Sequence, residues 1–207
     1  MHDEDTGGSP ACFLHELVGG QPVDPETARD VARFRKAERA RLIAARLALP
    51  IDTRTRMAAA ISEELAPLIP DDAVLGVYWP IKGELDLRPL MASAHARGVT
   101  VALPVVIEKA RPLVFRPWQP HCKMTRGVWN IPIPDTGDTV IPSVVISPVV
   151  GTADNYRLGY GGGFYDRTLA SFDPRPLVIG IGPSVAAIPT IFPQPWDIPM
   201  DRVILAD

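Results

Sequence analysis

At 207 residues, with 46% hydrophobic and 22% charged side chains, the chain has the make-up of an ordinary globular protein long enough for a sizeable core. A net charge of -3 argues against general nucleic-acid binding, and two cysteines (Cys12 and Cys122) are too few for a disulfide framework. No apolar run reaches membrane-spanning length, and residues 1–9 are acidic and polar where a signal peptide would be basic then apolar, so a reducing cytoplasm is the expected compartment.

Residues 1–22 show no sustained period and are expected to form a tail, with Cys12, Phe13, Leu14 and Leu17 available to dock it; a single α/β domain is expected over 23–207. Asp24 before Pro25 predicts a helix start, and Pro50 its end after Leu49; Val31, Phe34, Leu42, Ala45 and Leu49 share one stripe. Asp52 is expected to cap a second helix whose inner face is Met57, Ile61 and Leu65, ending near Pro67. A buried strand is predicted over 73–78, then a helix over 87–97, capped by Asp86 and stopped by Gly98. Further strands are predicted over 99–106, 113–116 and 144–150, a helix over 164–171, and closing strands over 177–181 and 203–205. The 23 prolines, dense around 104–148 and 174–199, predict irregular loops laid over this scaffold.

Strands alternating with helices predict a mostly parallel sheet covered on both faces, a three-layer α/β/α arrangement in which ligands bind beyond the carboxyl ends of the strands. Two informative loops fall at such ends. One follows the first strand and contains Trp79, Lys82, Gly83 and Glu84. The other is the run Arg157, Leu158, Gly159, Tyr160, Gly161, Gly162, Gly163, Phe164, Tyr165 and Asp166. Four glycines in five positions let another molecule approach the main chain, and consecutive N–H groups ahead of a helix suit an anion. Arg157 and Arg167 bracket the loop, and Asp166 offers a carboxylate to a cation, which together suit a nucleoside triphosphate with its metal. The loop is neither a P-loop, lacking Gly-Lys-Ser/Thr, nor a dinucleotide fingerprint, since Phe164 takes the third glycine's place; the plain alternative is a tight structural turn.

Other constellations carry similar pairs of readings. Arg35, Arg39 and Arg46 fall close together on the first helix, beside its apolar stripe, either to reach a phosphate or as a solvated, salt-bridged face. Glu84 suits a pterin-like or amide-like ligand, or is simply a helix-start acid. Asp197 and Asp201 either approach Asp166 and share magnesium, or serve turn chemistry. Trp79, Trp118, Trp129 and Tyr160 wall a flat ring or belong to the core. Cys12, His15, His121 and Cys122 have poor zinc spacing, and no Ser/His/Asp or Cys/His catalytic set can be assembled.

The glycine-rich run closely resembles the Arg-Leu-Gly-x-Gly-x-Gly-Tyr-Tyr-Asp signature of the 5-formyltetrahydrofolate cyclo-ligase (5,10-methenyltetrahydrofolate synthetase) family. The likeness continues in order from Arg35 to Asp201 through Tyr78, Trp79 and Pro80, then Gly83 to Asp86, Leu103 to Val106, and Asp197 to Asp201. The resemblance implies a three-layer fold of the sugar-phosphate isomerase and CoA transferase kind. It also implies an enzyme that takes 5-formyltetrahydrofolate, ATP and Mg²⁺ to 5,10-methenyltetrahydrofolate, ADP and phosphate. On it, Arg35, Arg39 and Arg157 to Asp166 would hold the nucleotide, with Arg157 and Tyr165 catalytic. Glu84, Trp79 and Tyr160 would meet the folate, and Asp166 and Asp197 the magnesium. The partners implied are a reduced folate and ATP, with neither nucleic acid nor membrane, and a monomer or weak dimer is expected. The chain departs from the family pattern in having Arg35 for lysine, Ile133 for a frequent glutamate and Trp196 for a frequent histidine. A non-catalytic nucleotide- or folate-binding paralogue, or a sugar-phosphate isomerase-like enzyme of the same architecture, remain the alternatives.

Overall fold

A computed structural model describes residues 16–18 and 21–207, with side chains from Asp24 onward. The docking expected of Cys12, Phe13 and Leu14, and of the Leu17 side chain, lies outside the described residues, as do Cys12 and His15 of the zinc set. Within the expected tail, β1 (Glu16–Val18) pairs antiparallel with β2 (Gln21–Val23).

Helix α1 (Pro25–Ala48) starts as predicted: the Asp24 carboxylate accepts the Thr27 N–H at 2.9 Å, and Pro25, which has no N–H to leave unpaired, opens the first turn. Helix α2 (Ile51–Leu65) follows at once. Asp52 is inside its first turn and caps nothing; Pro50 holds the N-cap position without a side-chain bond. The predicted inner face of Met57, Ile61 and Leu65 is buried. The stripe expected on α1 is not: among its residues only Leu42 and Arg46 are buried, because α1 does not lie on the sheet.

The sheet has the order β12-β11-β8-β3-β4-β5, with strands β3 (Val74–Gly76), β4 (Thr100–Val105), β5 (Val114–Trp118), β8 (Val144–Pro148), β11 (Leu177–Pro183) and β12 (Arg202–Ala206). All neighbours are parallel except β5, which closes one edge antiparallel to β4. Alternate residues serve opposite faces. Val144, Ile146, Ile179 and Ile181 join α2 and α3 (Arg88–Ala96) in the main core, whereas Val145 and Val178 face clusters containing Phe172. There α4 (Phe164–Ala170) contributes Leu169 and Tyr165. The result is the predicted three layers.

Asp86 lies one residue outside its expected cap position at α3, where Leu87 is the N-cap. It still accepts the Arg88 N–H at 3.0 Å.

Two further hairpins, besides β1–β2, escape the sequence reading. The first is β6 (Met124–Arg126) with β7 (Pro132–Pro134); the second is β9 (Gly151–Ala153) with β10 (Tyr156–Leu158). The second intervenes between β8 and the glycine loop, so that loop does not spring directly from the strand. Helix α1 packs on this hairpin: Leu42 joins Val150, Leu158 and Ile191 in one cluster, and a Cβ at Gly151 would lie 2.7 Å from Leu42 Cδ1. The arginine-bearing helix thus crosses the carboxyl ends of the strands.

Candidate functional site

The first parallel strand in the chain, β3, has β4 on one side and β8 on the other. Chain order reverses between β3 and β8, and there the loops leaving the strand ends diverge to open a crevice. The loop after β3 carries Glu84; the segment after β8 carries the glycine run. The two meet: Tyr160 Oη donates to Glu84 Oε1 at 2.8 Å. The other carboxylate oxygen, Oε2, accepts the Ile81 N–H at 2.9 Å. Positive φ at Lys82 (48°) and Gly83 (75°) makes the tight turn that returns Glu84 toward Ile81. Glu84 is buried, and that desolvation holds its carboxyl above the ordinary glutamate value, against the pull of its two donors and of Arg46 and Lys82.

The glycine loop is open. Tyr160, Gly161 and Gly162 are exposed, and a Cβ on Gly159 would meet nothing within 4 Å. Gly161 (φ 91°) and Gly163 (φ 62°) take the left-handed conformations that bend the chain into α4. Arg167 folds back so that its guanidinium donates to Gly162 O and lies 5.4 Å from the Phe164 ring centroid.

The three arginines singled out on α1 are put to different uses. Arg39 Nε donates to Gly159 O at 2.6 Å, and a Cβ on Gly161 would sit 3.3 Å from Arg39 Cζ, so its guanidinium lies along the loop. Its burial and the Arg35 charge pull its pKa down. Arg35 donates to Ile191 O at 2.8 Å, to Phe192 O at 2.9 Å and to both oxygens of Asp197. Arg46 is 3% exposed and donates to Lys82 O at 3.1 Å, Val149 O at 3.4 Å and Tyr160 Oη at 2.6 Å.

Beneath the loop, Arg157 Nη2 donates to Asp166 Oδ1 at 2.9 Å, and the guanidinium lies 5.0 Å from the Tyr165 ring centroid. Arg157 Nη1 and Tyr165 Oη are sealed from solvent and have no hydrogen-bond partner among the described residues. Burial pushes the Tyr165 hydroxyl pKa well up, as it does at Tyr160 and Tyr78. Asp166 Oδ1 also accepts the Ile198 N–H at 3.3 Å, which brings the 197–198 segment to α4. No cluster of three or more His, Cys, Asp or Glu forms among the described residues.

The other singled-out residues lie as follows. Leu158 is a core side chain of the hairpin. Trp79 packs on the main core with the Arg88 guanidinium 5.2 Å from its ring centroid. Asp201 performs turn chemistry, accepting the Val178 N–H at 2.7 Å and pairing with Arg175. Trp118 belongs to the core margin, whereas the exposed Trp129 ring stands edge-on to Phe164 at 5.6 Å, beside the glycine loop. Arg46 as an internal brace was not visible in sequence; the helical spacing placed it in the basic row but gave no sign that its acceptors lay 103 and 114 residues away.

A profile of the 5-formyltetrahydrofolate cyclo-ligase family matches residues 31–206. The chain is 33% identical over 140 residues to the 5-formyltetrahydrofolate cyclo-ligase of Escherichia coli strain K12, covering 63% of this chain and 76% of that protein. To the Haemophilus influenzae 5-formyltetrahydrofolate cyclo-ligase it is 25% identical over 139 residues, covering 63% and 74%. The structure of the Aquifex aeolicus 5,10-methenyltetrahydrofolate synthetase superposes with a TM-score of 0.71 at 26% identity, over 83% of this chain and 89% of that one. The Mycoplasma pneumoniae 5,10-methenyltetrahydrofolate synthetase shares the fold with a TM-score of 0.67 at 23% identity, over 82% and 97%.

Proposed function

The chain belongs to the 5-formyltetrahydrofolate cyclo-ligase family, and on that premise we propose that it closes 5-formyltetrahydrofolate to 5,10-methenyltetrahydrofolate, consuming ATP and releasing ADP and phosphate. The observation that carries the reading is the pair of sealed donors without partners, Arg157 Nη1 and Tyr165 Oη, beneath an open glycine loop. Each such group costs about 1–3 kcal/mol in the free protein. A ligand that supplies the acceptor relieves that cost, and a phosphate or an activated formyl oxygen is such an acceptor.

In the net reaction the formyl oxygen takes the γ-phosphoryl group as its bond to ADP breaks, the N10–carbon bond forms with loss of the N10 proton, and the carbon–oxygen bond breaks, so that the former formyl oxygen departs within the phosphate. An amide oxygen leaves poorly, and phosphorylation makes it a good leaving group. The protein's work is alignment and charge neutralisation. Arg39 lies along the loop and, among the described residues, bonds through Nε alone, leaving both Nη groups for nucleotide oxygens. We assign the unpartnered donors of Arg157 and Tyr165, sealed in the free protein, to the oxygens at the reacting end. Arg35, held by Asp197 and two carbonyls, fixes the 191–197 loop against α1 and adds positive charge beside the nucleotide.

Magnesium, when bound, neutralises the phosphate oxygens. Asp166 suits it: every hydrogen bond it makes among the described residues falls on Oδ1, which leaves Oδ2 to a cation. Asp197 is taken on both oxygens by Arg35, and on Oδ2 also by the Gln194 N–H at 2.7 Å, so ligation there requires exchange of that pair. A site of one or two carboxylates completed by phosphate and water is what Mg²⁺ favours. Glu84 keeps unused lone pairs for the N–H groups of a reduced pterin, and a groove of about 830 Å³ opens beside it between α2 and α3, with Ile51, Ala58, Pro80 and Leu90 among its apolar walls. Tyr160, which donates to Glu84, and Trp79, earlier in the same loop as Glu84, are the aromatic rings we assign to the folate side. A cytoplasmic monomer or weak dimer completes the reading; no helix among the described residues is long and apolar enough to cross a membrane.

The test is phosphate release with 5-formyltetrahydrofolate, ATP and Mg²⁺, read beside formation of the methenyl product. A rate no higher than with the folate omitted refutes the proposal. Stabilisation by ATP without folate-dependent turnover would identify a binding protein instead.

A further inference from the structure

Arg46 is the most deeply buried cation of α1, yet no carboxylate among the described residues pairs with it directly. Its fork is spent on Lys82 O in the Glu84 loop, Val149 O at the end of β8, and Tyr160 Oη in the glycine loop. An arginine can only donate. The Tyr160 oxygen is therefore the acceptor of that 2.6 Å bond, and its single proton is directed to Glu84 Oε1 at 2.8 Å. The order of donation along Arg46, Tyr160 and Glu84 is fixed by chemistry, and the chain joins α1, the glycine loop and the loop after β3. Resting on the proposed reaction, we infer that Arg46 is a positioning residue: through the Tyr160 hydroxyl it sets the orientation of the Glu84 carboxylate that receives the folate.

Three further features support the assignment. Glu84 has one oxygen held by Tyr160 and the other by the Ile81 N–H, so without Tyr160 the carboxylate is tethered at one end only. The Tyr160 ring is itself clasped, with Lys82 Nζ 5.1 Å and Arg46 Cζ 5.8 Å from its centroid, so the hydroxyl has little freedom to seek another partner. Lys82, whose ammonium faces the ring, has its own carbonyl held by Arg46 Nε at 3.1 Å. The charged and titratable groups facing Glu84 are Arg46 from α1, Lys82 from its own loop, Tyr160 from the glycine loop, Tyr78 from the end of β3 and Tyr165 from α4. Arg46 is the cation that reaches it through a hydrogen-bonded chain.

The experiment is a cycle of Arg46→Met, Tyr160→Phe and the double variant, with Arg46→Lys as the conservative replacement. Apparent KM is measured separately for 5-formyltetrahydrofolate and for ATP. Methionine keeps the buried stem and phenylalanine keeps the ring. The inference expects both single variants to raise the folate KM about tenfold, the effect of losing one hydrogen bond to a charged group, with the ATP KM within twofold of wild type. The double variant should be no worse than the more impaired single one, because the two residues act in series. Arg46→Lys, which keeps charge but not the fork, should recover only part of the loss. Should Arg46→Met not fold, Tyr160→Phe at its partly exposed position carries the test alone. An unchanged folate KM in folded Tyr160→Phe, additive losses in the double variant, or an ATP KM rising as far as the folate KM would each overturn the assignment. A wild type without folate-dependent turnover would remove the proposed function and this inference with it; an active wild type with unaffected variants removes this inference alone.

Discussion

Two tyrosines whose hydroxyls are sealed from solvent differ in one respect that stability can measure. Tyr78 Oη donates to Leu85 O at 2.6 Å; Tyr165 Oη is as well sealed but donates to nothing among the described residues. Replacing each by phenylalanine removes one oxygen and keeps the ring, including the Tyr165 ring beside the Arg157 guanidinium. At Tyr78 the change strands a buried carbonyl and should cost about 1–2 kcal/mol. At Tyr165 it removes a polar group that is buried without compensation, and should raise stability by about 1–2 kcal/mol. For a chain of this length those energies correspond to about 2–8 °C, downward for Tyr78→Phe and upward for Tyr165→Phe. On the proposed reaction activity should run the other way at Tyr165: a donor that serves the reacting atoms is worth about 10²-fold in turnover, so the more stable variant should be the crippled one. Thermal unfolding of both variants without ligands, beside folate-dependent phosphate release, measures both quantities. A fall in Tm for Tyr165→Phe matching that of Tyr78→Phe would mean the hydroxyl has a partner in the free protein. Undiminished turnover would mean it has no part in the reaction.

Other outcomes follow from the same geometry. Glu84→Gln should change the pH dependence of stability: burial raises the Glu84 pKa above its ordinary 4.5, so wild type is most stable, with respect to this group, below about that pH and loses the contribution as pH rises through the elevated value. The Tm of the glutamine variant should therefore gain on wild type between acid and neutral pH, and a constant offset would show that Glu84 is not desolvated. Gly161→Val puts a β-branched residue at φ 91° against Arg39 Cζ, a strain of about 1–3 kcal/mol; ATP-dependent turnover should be lost, and wild-type rates would show that the loop geometry was misread. Leu42→Ala should cost about 2–5 kcal/mol, because Leu42 is the buried apolar anchor of α1, and should raise the KM for ATP by shifting Arg35 and Arg39; calorimetry beside kinetics tests it, and an unchanged KM in the destabilised protein would separate α1 from nucleotide binding.

Much of the site was legible because its signals are local. A cluster of glycines announces left-handed backbone wherever it occurs, and Gly161 and Gly163 adopt it. Asp24 before Pro25 specifies a helix start with no help from the rest of the chain, and Met57, Ile61 and Leu65 mark an inner face by spacing alone. Where neighbours decide, the reading failed. Asp52 had the chemistry of a cap, but Pro50 already closed the turn ahead of it. The stripe on α1 suggested a helix lying on the sheet, whereas the β9–β10 hairpin, too short to show a period, lifts α1 across the strand ends so that it buries only Leu42 and Arg46.

The amino-acid order by itself determined that a bare glycine loop would precede a short helix and that an arginine-rich helix would start after Asp24, since dihedral preference and periodicity need only neighbouring residues. Tertiary structure alone decided which arginine does what: Arg39 lies along the loop, Arg35 is committed to Asp197, and Arg46 is drawn inward to Tyr160, 114 residues away. The three are chemically alike and share one face of one helix. Their partners are chosen by how the sheet's strand order brings distant loops to the same crevice, which no short window of sequence encodes.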